Sequence, residues 1–154
     1  VRKAYPASEW PFELISFKSA LQNSYSIGAR RLRGIHPDNP VAVHPDDAAR
    51  LKLENGDQIY LETPGGRARA TVMLRHGVQR GVIAVEHGFG HKEHGARAHR
   101  IGKLRQPDEP AIGAGINLND LGLTDPSRGD KNVFVDPVSG TSVRQGLPAR
   151  IVRA

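Results

Sequence analysis

The stretch Arg80-Gly81-Val82-Ile83-Ala84-Val85-Glu86-His87-Gly88-Phe89-Gly90 decides how this chain is read. Val82, Ile83 and Val85 are apolar and β-branched, which fits a short strand with little exposed face. Gly88 and Gly90 then bracket one aromatic residue. Without a Cβ, the backbone there can approach a neighbour closely. A strand that delivers His87, Phe89 and bare amides to one place predicts a ligand-binding edge. Which ligand it serves depends on the rest of the sequence.

Working outward, the flanking segments also read as short strands and turns. Upstream, Gln58-Ile59-Tyr60-Leu61-Glu62-Thr63 alternates, and residues 67–74 return as its hairpin partner. Pro64-Gly65-Gly66 lies between them, with Pro suited to the first central position and Gly to a positive φ. Pro45-Asp46-Asp47-Ala48-Ala49-Arg50-Leu51 predicts a compact helix, with Pro at its first position and two acids in its first turn. Residues 41–43 predict a short strand, and residues 12–18 another, entered from Pro11. Residues 20–26 read as a loop, residues 27–32 as a helical turn and residues 34–40 as a breaker-rich linker. Downstream, residues 91–110 read as a long charged loop, Asp136-Pro137-Val138-Ser139-Gly140 as a turn, and residues 149–153 as a closing strand. Many short strands with one convincing helix predict a mainly β chain, a β-barrel with a few short helices.

Composition narrows the partner. The 154 residues fit a single domain spanning 1–154. The chain begins at Val1 without Met or a signal-like apolar run, and is read as a piece of a longer polypeptide. No stretch approaches the ~20 apolar residues that span a bilayer, so no membrane insertion is expected. Cysteine is absent, which excludes a disulfide framework, a thiolate nucleophile and Fe–S ligation by this chain. Lys plus Arg number 22 against 16 Asp plus Glu, a net charge of +6. That charge is either a solubility surface or the footprint of an anionic partner. Nucleic acid is weakly supported, because aromatics are few and the densest basic cluster, Arg30-Arg31-Leu32-Arg33, is short.

With these segments in view, the chain resembles the molybdopterin dinucleotide-binding domain at the C-terminal end of catalytic subunits in the dimethyl sulfoxide reductase family. The resemblance runs in order from about Pro11 to Val152. It rests on Leu14-Ile15-Ser16-Phe17-Lys18 with Asn23-Ser24; on Val43-His44-Pro45-Asp46-Asp47-Ala48 followed by Leu53-Glu54-Asn55-Gly56-Asp57; and on Pro64-Gly65-Gly66. It continues through Gly81-Val82 to Gly90, Asn117 to Leu121, and Asp136-Pro137-Val138-Ser139-Gly140-Thr141. Within the family, the charged loop and the Asp136 to Arg144 segment are most similar to tetrathionate reductase catalytic subunits.

The resemblance implies a double-psi β-barrel. It implies molybdopterin guanine dinucleotide, carrying molybdenum or tungsten, as the cofactor of the intact enzyme, and no cofactor on the isolated domain. It implies a cofactor-embracing part of a molybdenum oxidoreductase with no catalytic residue of its own, working in anaerobic respiration. The implied partners are the remaining domains of the parent catalytic polypeptide together with an Fe–S electron-transfer subunit, on the exported side of a membrane. The alternative is a free-standing basic module for nucleic acid or another polyanion, marked by steeply salt-dependent binding.

The residues expected at the cofactor are Ser16, Lys18, Gln22, Asn23, Ser24, His87, Gly88, Phe89, Asn117, Asn119 and Arg144. Hydroxyls, amides and cations suit a polar, anionic ligand whose rings present donor and acceptor edges. Lys18 stands where many members of the family carry Arg, keeping the charge but losing the bidentate fork. Each residue also has an ordinary use: loop polarity for residues 16–24, turn capping for Asn117 and Asn119, a solvated charge for Arg144. His87, His91, His94 and His99 invite a zinc reading, but the glycines among them argue against one helical face. No metal site is expected.

Overall fold

The computed structural model describes residues 1, 3–23, 25–26, 28–93, 95–125, 127 and 133–154. Ser24 and His94 lie outside the described residues, as does most of the segment 126–132.

Six strands close into a barrel. They are β1 (Phe12–Phe17), β2 (Val41–Val43), β3 (Gln58–Thr63), β4 (Gly66–Leu74), β5 (Val82–Glu86) and β8 (Leu147–Arg153), in the order β1-β5-β2-β4-β3-β8. β1 runs parallel to β5 and β2 parallel to β4, and the remaining pairs are antiparallel. The mainly β, closed double-psi barrel with short helices is thus present. The helices are α1 (Arg30–Ile35), α2 (Pro45–Arg50), α3 (Pro110–Gly113) and a 3-10 turn at Leu118–Leu121.

Alternation along each strand explains the core. Phe12 and Leu14, Val41 and Val43, Ile59 and Leu61, Ala70 and Val72, Ile83 and Val85, and Leu147 and Ala149 point into one buried cluster. Ala42 and Ala84 face the opposite way, against Val78, with Ile15, Phe17, Met73 and Val82 packed around them. β2 and β5 are therefore covered on both faces, which accounts for the nearly continuous apolar run at 82–85.

α2 is built as its sequence predicts. His44 caps it by accepting the Asp46 N–H through Nδ1 at 3.1 Å. Asp46 pairs with Arg80. Asp47 is fully buried, bonded to Arg50 and accepting the Gly81 N–H at 2.7 Å, so it ties the helix to the start of β5.

Four local expectations are corrected. Gly65 and Gly66 have no positive φ. Their need is space: an added Cβ would fall 1.6 Å from the Gly122 carbonyl oxygen and 2.0 Å from that of Asp120, respectively. Residues 91–110 are not all loop. They contain β6 (His99–Ile101) and β7 (Leu104–Gln106), joined by Gly102 at φ +59 and Lys103, a two-residue hairpin with Gly first. α1 continues through Gly34 into the segment read as linker, because the buried Arg33 bonds the Ala111 carbonyl and anchors the turn from outside. β8 begins at Leu147, ahead of Pro148, because Leu147 enters the core. Pro148 lacks an N–H, and that hid the strand's start.

Candidate functional site

The parallel pairing of β1 and β5 brings both strand ends to the same rim. Ser16 lies beside Val85 and Phe17 beside Glu86, and the His87 N–H donates to the Phe17 carbonyl at 2.8 Å. At this rim Ser16, Phe17, Lys18, His87, Asn119, Arg144 and Gln145 surround a cleft of about 520 Å³. Five of the eleven expected residues thus meet: Ser16, Lys18, His87, Asn119 and Arg144. Among the described residues, no carboxylate lines the cleft.

Gln145 was not anticipated. The β1–β8 register pairs Leu14 with Leu147, so Ser16 would next pair with residue 145. Gly146, at φ +68, turns the chain away before that bond can form. The Gln145 side chain makes the bonds instead. Its Oε1 accepts the Ser16 N–H at 2.9 Å, and its Nε2 donates to the Ser16 carbonyl at 2.9 Å and lies 2.9 Å from Ser16 Oγ. A side-chain amide can replace a strand partner because it carries the same donor and acceptor as a peptide. The only signal in the sequence was its place next to Arg144.

Arg144 reaches Asn119, donating to its Oδ1. Asn117 Oδ1 accepts the Asn119 N–H at 3.0 Å and so caps the 3-10 turn. One asparagine of the pair therefore faces the cleft while the other holds its backbone in place. The Asp136 turn precedes this segment. Asp136 Oδ1 accepts from the N–H groups of Ser139 at 2.7 Å and Val138 at 3.1 Å, and these bonds hold its carboxyl below the ordinary carboxylate value.

His87 registers the electrostatics. Its imidazole is pushed below the ordinary value of 6.5, first by desolvation and then by the positive charges of Arg144, Lys18 and His91. The imidazole is accordingly neutral at pH 7.

The other expected residues among those described lie elsewhere. Phe89 is buried, edge-on to the His36 ring at 5.3 Å, with the Arg33 guanidinium 6.0 Å from its centroid. Gly88 (φ +102) and Gly90 (φ +65) need their conformations for the loop itself. The space at Gly90 is taken by this chain: a Cβ there would lie 2.2 Å from the Asn117 nitrogen. Gln22 is buried and accepts from Ser26 Oγ at 2.9 Å. Its Nε2 has no acceptor among the described residues. Asn23 Oδ1 accepts the Tyr25 and Ser26 N–H groups at 2.8 and 3.1 Å, a turn of the ordinary kind.

Behind Lys18 a second cavity of about 440 Å³ is lined by Ser19, Leu21, His36, Arg75 and Glu86, among others. Glu86 is buried at the end of β5, with Ser19 Oγ on one carboxylate oxygen and His36 Nε2 on the other. These bonds fasten both ends of the 19–36 segment to the barrel rim. An acid directly after Val82-Ile83-Ala84-Val85 was the available clue, since a carboxylate continuing a buried strand needs dedicated partners. Among the described residues, no three of His, Cys, Asp and Glu converge as metal ligands.

The pattern of the Molydopterin dinucleotide binding domain matches residues 12–130. The chain belongs to this family. It is 48% identical over 149 residues to a tetrathionate reductase polypeptide of Salmonella typhimurium, covering 97% of this chain and 15% of that protein. It is 31% identical over 122 residues to a selenate reductase polypeptide of Mesobacillus selenatarsenatis, covering 70% of this chain and 12% of that protein. Acetylene hydratase from Pelobacter acetylenicus has the same fold, with a TM-score of 0.69 at 21% identity over 96% of this chain and 19% of that one. The domain therefore spans less than a fifth of each of these proteins.

Proposed function

We propose that this domain holds and orients a molybdopterin guanine dinucleotide as the C-terminal part of a molybdenum oxidoreductase similar to tetrathionate reductase. One observation carries the reading: Lys18, His87 and Arg144 converge on a cleft with no carboxylate among its described lining residues. An anionic, hydrogen-bonding ligand balances that charge, and the donor set of the cleft fits such a group. Lys18 and Arg144 meet its anionic oxygens. Asn119 and Ser16 read its polar edges with an amide and a hydroxyl, and neutral His87 offers one donor and one acceptor. Gln22, Asn23, Gly88, Phe89 and Asn117 serve by shaping the loops that carry these groups. When bound, the pterin's metal supplies the two-electron chemistry, and this chain contributes binding and orientation. The other domains of the parent polypeptide and an Fe–S electron-transfer partner complete the assembly.

The test uses the complete enzyme. A charge-assisted contact is worth about 1.5–3 kcal/mol, so Lys18→Ala and Arg144→Ala should each weaken cofactor retention by roughly 10–100-fold. Metal and pterin per polypeptide are measured after gel filtration. Full occupancy in the double variant sinks the assignment.

A further inference from the structure

The hairpin of β6 and β7 stands apart from the barrel. Among the described residues its strands pair only with each other, as His99↔Gln106, Arg100↔Arg105 and Ile101↔Leu104. Five of its six strand residues are exposed, and the apolar pair Ile101 and Leu104 is 65% and 57% exposed. On the opposite face, Arg100 sits directly across from Arg105. Residues 95–107 carry Arg97, Arg100, Lys103 and Arg105 and no acid. Arg100, Lys103 and Arg105 form no ion pair among the described residues.

Such an arm is unfavourable alone. A two-stranded hairpin is marginal in water, like charges directly opposite one another destabilise it, and its apolar pair stays more than half exposed. It has the composition of a contact element: an apolar pair on one face and a row of cations on the other. We infer that the 99–106 hairpin is a docking arm that seats on an acidic, partly apolar surface of the same polypeptide, outside these 154 residues. Two observations select that occupant. The relatives of this chain extend far beyond it, since it covers 15% of the Salmonella protein, so surface in the same polypeptide is available at high effective concentration. The arm's uncompensated cations call for carboxylates, and the net charge of +6 works against a second copy of this chain as their source. The inference rests on the proposed membership of a longer reductase.

The complete polypeptide, purified with its cofactor, is treated with a zero-length carbodiimide, and hydrogen exchange is followed in parallel. Lys103 should cross-link to an Asp or Glu of the same polypeptide outside this domain. Amides 99–106 should exchange ~10-fold or more slowly than in an Arg100→Glu/Arg105→Glu variant, which should also lose the cross-link. A Lys103 cross-link to a different polypeptide or a second copy, or none with fast exchange in the unmodified enzyme, overturns the inference. The unmodified enzyme decides this even if the variant misfolds. Cofactor content separates the two claims. Pterin present with an unprotected hairpin defeats only the docking arm, whereas a protected hairpin without pterin defeats only the cofactor reading.

Discussion

His87 shows how much a single side chain can report. Desolvation lowers its pKa first, and Arg144, Lys18 and His91 lower it further. Because the folded-state pKa lies below the unfolded value of about 6.5, the neutral ring favours the fold above pH 6.5. That contribution declines as pH falls from 6.5 towards the lowered folded pKa, where protonation must work against desolvation and the charges of Arg144 and Lys18. Removing one of them, by Arg144→Ala, should raise the His87 midpoint, and added pyrophosphate should raise it in the parent chain. NMR titration of the ring C–H reads both shifts. An unmoved midpoint in Arg144→Ala would show that the arginine does not act on the ring. Lys18, Asn119 and Arg144 were legible as cofactor candidates from the order of the motifs around them. Gln145 was not, because its role depends on a register that ends at Leu14 and Leu147, two positions short of Ser16.

At the scale of elements, the glycine-rich turns divide into two physical kinds. Gly65 serves a close approach between the β3–β4 hairpin and the 3-10 turn, where Thr63 Oγ1 donates to the Leu121 carbonyl at 2.8 Å. A methyl group 1.6 Å from the Gly122 oxygen forces backbone apart, since neither partner is the end of a flexible side chain. Gly65→Ala should therefore destabilise the chain by more than about 3 kcal/mol. Gly77 has nothing within 4 Å and no positive φ, so Gly77→Ala should be neutral or stabilising by up to about 1 kcal/mol. Urea unfolding of both variants gives the contrast, and equal stabilities would refute the steric account. Strand alternation and helix-start chemistry were readable for β3, β4, β5 and α2. The hairpin at 99–106 was missed because its strands are three residues each and mostly exposed, so no alternating apolar face announced them.

Across the whole molecule, Asn39 joins segments that the sequence keeps far apart. Its Nδ2 donates to the Glu86 carbonyl at 2.7 Å and the Ile116 carbonyl at 3.0 Å, while its Oδ1 accepts the Ile116 N–H at 2.6 Å. Gly115 permits this, because a Cβ there would lie 2.2 Å from the same Oδ1. Asn39 thereby fixes the 116–119 segment, and with it Asn119, relative to the end of β5. Asn39→Ala would leave three buried backbone groups unpaired, each worth about 1–3 kcal/mol. It should destabilise the chain by at least about 3 kcal/mol and speed proteolysis within residues 113–123. Unchanged protease resistance there would show that other contacts suffice to hold the segment.

The sequence by itself determined the β-rich class, the buried strand at 82–86, the helix that starts at Pro45 and the order of motifs that marks the family. These follow from periodicity, β-branching, helix-start and turn chemistry, all of which act between residues a few positions apart. Only the tertiary structure decided which candidates share one cleft. Parallel β1 and β5 bring residues 16–18 beside residue 87, and the return of β8 brings residues 144 and 145 to the same rim. It also decided that Phe89 packs inward and that Gly90 makes room for residues 115–117 of its own chain. The opening stretch is a strand that ends at the cleft, and the part of it that lines the cleft is His87. The reason is that pairing between strands far apart in the chain, such as Phe12 with Ala149, sets which side chains meet, and no local pattern encodes that distance.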